Sequence, residues 1–347
     1  MRGPGEPGSP SGDSGSPQGR ARRATTTVVV LVACGLLVAC GDSSATSTLP
    51  GRGEGADSAE RLFVLMTVVG VAVVVLVAVL LALTGRPRDP HSGRRRFGGR
   101  RLIVAGGIVL PVVVIVPLMV LTAAELRSDA AEGPLRVDVV GHRWWWEVSS
   151  PDLGIVDANE VHLPVDRDVV VTLASGDVIH SFWIPPLAGK VDMIPGTTNE
   201  LRLHADETGT FEGICAEYCG LQHARMRFRA VVSSASEFED WAESRGGTHT
   251  VVGEDSPAGL DVFLAQGCQR CHAIQGTTAD GVVAPDLTHV GSRQTLAAGT
   301  VENTTANMAR WIVEPGSIKP GALMPAFGDR IDPADLAVLI EYLEGLE

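Results

Sequence analysis

The chain has 347 residues, 45% of them hydrophobic, and a formal net charge of −13. That length admits membrane segments plus two small domains. Residues 1–125 carry 13 basic and 8 acidic side chains, while residues 126–347 carry 15 and 33, so the apparently soluble part is acidic and lacks the basic face that nucleic-acid binding requires. Such a surface keeps a domain soluble or attracts a basic protein partner.

Residues 1–20 are rich in Gly, Pro and Ser and are expected to be disordered. Arg20, Arg22 and Arg23 precede a short apolar run, Val28 to Ala39. The run is shorter than the roughly 20 residues of a spanning helix and has the layout of a signal peptide. Residues 1–40 are therefore read as a disordered start plus a signal peptide, and 41–61 as a short extracytoplasmic segment. Leu37-Val38-Ala39-Cys40-Gly41 resembles a lipoprotein cleavage box, which makes Cys40 the candidate lipidation site. An alternative box ends at Cys34.

Leu62 to Leu83 and Leu102 to Ala124 are free of charge and long enough to cross a bilayer. Between them lie Arg86, Arg88, Arg94, Arg95, Arg96, Arg100 and Arg101. Basic loops stay cytoplasmic. Residues 62–125 are thus expected to form a transmembrane hairpin in the cell membrane, with everything from about Leu126 outside the cytoplasm.

The pattern then changes period. Val169 to Leu173 is β-branched and short, and Glu200 to His204 and Arg227 to Val231 alternate polar with apolar. Val137, Val139 and Trp144 to Val148 join them in a β-rich segment. Short strands divided by Gly, Pro and Asp clusters predict a sandwich or barrel over 126–245. Ser236-Glu237-Phe238-Glu239 reads as a capping box opening a short helix. A Gly-rich linker, 246–256, follows.

Of the six cysteines, Cys215, Cys219, Cys268 and Cys271 form two close pairs, for which disulfides are the simplest reading. Their neighbours point elsewhere. Cys215-x3-Cys219-x3-His223-x2-Met226 gathers two thiols, an imidazole and a thioether within twelve residues. Soft sulfur ligands with imidazole favour copper, and zinc sites rarely use Met. A single blue-copper ion needs one Cys, so two thiolates suit two bridged copper ions. The second imidazole must come from an earlier strand, and His180, in Val178-Ile179-His180-Ser181-Phe182-Trp183, is the best placed.

This loop resembles the copper loop of cytochrome c oxidase subunit II, and the likeness extends from about Leu62 to Arg245. It implies a two-helix hairpin, an all-β cupredoxin sandwich and a binuclear mixed-valence copper centre. By the resemblance, Cys215 and Cys219 bridge both coppers. His180 and Met226 complete one, and His223 and the Glu217 carbonyl complete the other. The Glu217 side chain would help to bind magnesium at the interface with subunit I. Trp144, first of three adjacent tryptophans, would be the electron entry point, whereas Trp145 and Trp146 read as packing residues. Lys190 and Asp192 fit the pattern near the subunit I face. One departure stands out: Phe97 to Val104 contains no Asp or Glu, where the family has a carboxylate at a proton-pathway mouth.

In the last segment, Cys268-Gln269-Arg270-Cys271-His272 is the pattern for c-type haem attachment, with His272 beside the iron. Ser256 and Pro257 open a helix with Leu260, Phe263 and Leu264 on one face. Met324 is the candidate sixth ligand, with Met308 and His289 as rivals. Met/His ligation raises the potential. Asp332 and Pro333 start a final helix, with Leu336, Leu339, Ile340 and Leu343 at helical spacing. Ala284-Pro285-Asp286-Leu287 resembles the haem-edge loop of small bacterial cytochromes c. Residues 257–347 therefore resemble an all-α class I cytochrome c domain.

The expected function is electron transfer within a haem-copper oxidase, with subunits I and III as partners. A quinol–cytochrome c reductase or a cytochrome c would be the donor. The electron-entry subunit of a copper-dependent nitric oxide reductase and a copper-delivery protein remain alternatives.

Overall fold

The computed structural model describes residues 47–84, 99–125, 133–246 and 257–347. Cys34, Cys40, most of the arginine-rich loop and the proposed Ser256 cap lie outside the described residues. The first apolar run folds as α1 (Glu54–Thr84). Its helix begins eight residues before the charge-free stretch. Glu54 and Asp57 favour a helix N-terminus, and Ala56 is 4% exposed where that first turn packs on the soluble domain. The second run is α2 (Gly99–Val104), a π-helical stretch (Ala105–Val109) and α3 (Leu110–Glu125). Pro111 cannot donate to the preceding turn, and the wider π-turn just before it absorbs that loss. The most apolar stretches of both helices are uncovered by the rest of the chain, as bilayer-facing surfaces must be.

The next domain is a two-layer β-sandwich. One sheet orders β1 (Leu135–His142), β2 (Trp145–Ser150), β3 (Ile155–Ala158), β5 (Val169–Ser175) and β8 (Asn199–Leu203) as β3-β2-β1-β5-β8. The other orders β4 (Glu160–Pro164), β6 (His180–Trp183), β7 (Val191–Met193), β9 (Gly209–Cys215) and β10 (Arg227–Ser233) as β4-β10-β9-β6-β7. Alternation sends Val137, Val139, Val169, Val171 and Leu173 inward, each nearly fully buried. Trp146, Phe182 and Phe228 fill the centre in edge-on and stacked contacts. Each such buried side chain contributes about 1.5–3 kcal/mol.

Two sequence expectations shift here. Trp144 is not in a strand but in the turn between β1 and β2. The capping box opening α4 (Ala235–Arg245) is Ser234 with Glu237, not Ser236 with Glu239. Both pairs fit the spacing, but β10 ends at Ser233, so the earlier serine meets the turn. That phase also buries Phe238 against the sandwich.

The C-terminal domain is helical: α5 (Pro257–Ala265), α6 (Thr305–Val313), α7 (Pro315–Ile318) and α8 (Pro333–Glu344), with a small hairpin of β11 (Thr295–Leu296) and β12 (Val301–Glu302). The Asp332 carboxylate accepts from Ala334 N–H and caps α8, with Pro333 in its first turn. Phe263 of α5, Met308 and Ile312 of α6, and Leu339, Ile340 and Leu343 of α8 share one core.

Candidate metal centre

The loop after β9 brings its donors together around the start of β6. The Cys215 and Cys219 sulfurs lie 3.7 Å apart as free thiols. Cys215 Sγ is 3.9 Å from His180 Nδ1 and 3.2 Å from Glu217 O. Cys219 Sγ is 3.8 Å from His223 Nδ1 and 3.8 Å from Met226 Sδ. Cys215, Cys219, His180 and Met226 are all buried.

Close packing sets these positions. A Cβ on Gly141 of β1 would sit 2.9 Å from the His180 ring, so only glycine leaves room for that imidazole. Gly220, at φ +114°, takes a turn that other residues resist, and a Cβ there would sit 3.3 Å from the Trp144 indole. Trp144 Nε1 donates to Cys219 O at 3.0 Å.

Asp177 was not foreseen from the sequence. Its carboxylate lies 2.9 Å from His180 Nε2, which turns Nδ1 towards Cys215. Carboxylates commonly orient metal-binding histidines in this way. Burial opposes ionisation of Asp177, but hydrogen bonds from His180, Val178 N–H and Arg143 N–H hold its carboxyl below the usual range. A local signal for it was weak, because an Asp in a turn before a strand is ordinary.

The thiols respond to each other first. The neighbouring Cys219 holds the Cys215 thiol down, with His180 assisting against burial, while Cys215 and burial push Cys219 up. Without a cation the pair thus keeps one proton. A set of two thiolates, two imidazoles, one thioether and one carbonyl neutralises its charge on soft metal ions, and the donor set fits copper. The Glu217 side chain, half-buried, accepts from Tyr218 N–H at 3.1 Å. Lys190 and Asp192 pair at 3.2 Å on the surface.

The second constellation lines a cavity of about 320 Å³. Cys268, Cys271, His272, Met308 and Met324 all contribute to its wall, whereas His289 does not. Met308 is 2% exposed within α6, and Met324 sits in the loop before Phe327. His272 Nδ1 lies 2.7 Å from Pro285 O, which fixes the tautomer with its lone pair on Nε2. Burial lowers the His272 proton affinity beyond what that hydrogen bond restores. Burial also pushes the Cys268 thiol up to about 11. An apolar slot with two thiols and one oriented neutral imidazole fits a covalently held haem.

The comparisons with known proteins cover both domains. Residues 152–234 match the family model for cytochrome c oxidase subunit II, periplasmic domain, and residues 257–347 match that for cytochrome c. Cytochrome c oxidase subunit 2 of Alkalihalophilus pseudofirmus is 34% identical over 82% of this chain and 84% of the relative. This chain belongs to the cytochrome c oxidase subunit II family. Cytochrome c oxidase subunit 2 of Bacillus subtilis is 33% identical over 90% of this chain and 94% of the relative. The crystal structure of the periplasmic domain of subunit II of cytochrome oxidase from Bradyrhizobium japonicum is 32% identical. It covers 34% of this chain and 96% of that domain, with a TM-score of 0.33.

As a subunit II with a fused cytochrome c domain, the chain has an electron-transfer role in a haem-copper oxidase and associates with subunit I. It is a membrane protein with two spanning helices and an extracytoplasmic sandwich, a copper-binding domain followed by a haem-binding one.

Proposed function

We propose that electrons enter this chain at the haem c domain, cross to two bridged copper ions in the sandwich, and leave to subunit I, where oxygen is reduced to water. When bound, haem c and the copper pair supply one-electron redox chemistry. Cys215 and Cys219 would be shared by both coppers, with His180 and Met226 holding one and His223 and the Glu217 carbonyl the other. The Glu217 carboxylate would hold magnesium at the subunit I face. Cys268 and Cys271 would attach the haem, and His272 and Met324 would bind its iron. Burying the donors in a packed sandwich keeps the ligand set fixed and excludes water, so little reorganises when charge changes.

The observation that carries this reading is the placement of Trp144. Trp144 lines the haem cavity, and its indole N–H reaches the carbonyl of Cys219 in the copper loop. One residue thus adjoins both centres. The donor is an upstream quinol–cytochrome c reductase or cytochrome c, and subunit III is a further partner. The chain sits in the plasma membrane with Cys40 as its lipidation site.

Low-temperature electron paramagnetic resonance on the full-length chain, matured with haem and loaded with copper, tests the assignment. The expected spectrum shows hyperfine structure from one electron shared by two coppers, beside a low-spin haem signal. A single-copper spectrum would remove Cys215 and Cys219 as bridging ligands.

A further inference from the structure

Two buried cations of the haem domain have no part in the function so far described. Lys319 is 4% exposed and Arg293 is 6% exposed. Both reach across to the sandwich. Lys319 Nζ donates to Trp144 O at 2.6 Å as well as to Ala297 O at 3.0 Å. Arg293 Nε donates to Asp157 Oδ1 at 2.7 Å, in an ion pair with both side chains 4% exposed.

Further hydrogen bonds cross beside them. Arg227 N–H of the sandwich donates to Ala298 O at 3.1 Å. Gln294 N–H of the haem domain donates to Glu160 Oε1 at 2.6 Å. Arg245 Nη2 reaches Ser292 Oγ at 2.6 Å. His142, Arg143, Trp144 and Trp145 of the sandwich close one side of the haem cavity. The cavity is therefore built by both domains.

A buried cation is costly unless its protons meet fixed partners. Burial accordingly lowers the Lys319 pKa to about 7. A domain swinging on its linker would have to rehydrate and strip both cations in every cycle. Encounter complexes instead keep their charges on a wet rim.

We infer that Lys319 and Arg293 are positioning residues that bolt the haem domain to the sandwich as one rigid unit, with the haem cavity held closed against Trp144. The purpose of the bolt rests on the relay reading above, but its geometry does not. In this arrangement the haem domain is a fixed donor, and an outside donor delivers its electrons to the haem domain alone.

Hydrogen exchange on the full-length, haem- and copper-loaded protein in detergent reads the interface at two amides. Arg227 N–H and Gln294 N–H both have their acceptors in the other domain. In the wild type they are expected to exchange as slowly as amides of β5. In K319M both are expected to speed up about tenfold or more, and further in K319M/R245A, while the haem and copper spectra and the β5 amides stay unchanged. D157N/R293Q, which removes both charges of the buried pair together, is expected to act in the same direction.

Fast exchange of both amides in the wild type would mean a swinging domain and overturn the inference. Wild-type rates in K319M and D157N/R293Q would overturn it as well. Loss of the haem spectrum in K319M would make Lys319 a fold residue of the haem domain and overturn its assignment. A wild type that lacked the shared-electron copper signal but showed slow, Lys319-dependent exchange would sink the relay reading and keep the bolt.

Discussion

The copper loop and the haem cavity solve opposite problems. The proposed copper ligands sit on a sandwich whose core is already closed by Trp146, Phe182 and Phe228, and their donor atoms stand within 4 Å of a neighbouring donor. The proposed haem ligands instead line a void between their domain's core and the sandwich. The sandwich makes its site before any metal arrives, whereas the cytochrome domain leaves the largest piece of its core to the cofactor. The first domain should then fold without its metal, and the second should depend on its haem.

The largest expected effect tests the second half of that contrast. C268A/C271A removes both covalent attachments. At about 24 cal/mol per Å³, a 320 Å³ void costs on the order of 8 kcal/mol. That is comparable with the whole stability of a small domain. Limited proteolysis of this variant should degrade residues 257–347 and leave the sandwich intact. Survival of the helical domain without haem would erase the contrast.

The first half is tested by C215S. The paired-copper signal should vanish, while the sandwich loses no more than about 1.5 kcal/mol in denaturant unfolding without metal. Collapse of the sandwich would show that copper, not the apolar core, holds it together.

D177N sharpens the idea of a site made in advance. It keeps the shape but weakens the hold on His180 Nε2, and copper affinity should fall about 10–100-fold in competition titrations. An unchanged affinity would mean that Gly141 and the strand packing alone orient the ring.

The smallest effect is at His204, which belongs to neither centre. His204 Nδ1 is 2.7 Å from Asp168 and its pKa is raised, chiefly by that hydrogen bond. A raised folded value gives stability that is full below the unfolded pKa of about 6.5 and lost as pH rises through the folded one. H204N should therefore cost about 0.5 kcal/mol at pH 5.5 and nothing at pH 9, measured by urea unfolding. A cost at pH 9 would point to packing rather than charge.

Much of the architecture could be read from local patterns. The charge-free runs gave the two spanning helices, a β-branched run gave β5, and period-two alternation gave β8 and β10. The spacing of Cys215, Cys219, His223 and Met226 lies within one loop, where sequence distance and spatial distance coincide. Misplacements arose where two local solutions tied, as with Ser234 and Ser236, and tertiary packing of Phe238 broke the tie. Trp144 read as strand because its neighbours are strand formers, yet it occupies the turn, where it lines the haem cavity.

By itself the sequence determined the membrane hairpin, the ligand types of both centres and the haem attachment motif, because each is written within a dozen or so residues or as one unbroken run. Only the tertiary structure decided which acidic group orients His180, that Gly141 clears space for it, and that Lys319 ends on Trp144. These choices join residues as far as 175 positions apart. They depend on which surfaces meet once the two domains are packed, and local periodicity carries no record of that meeting.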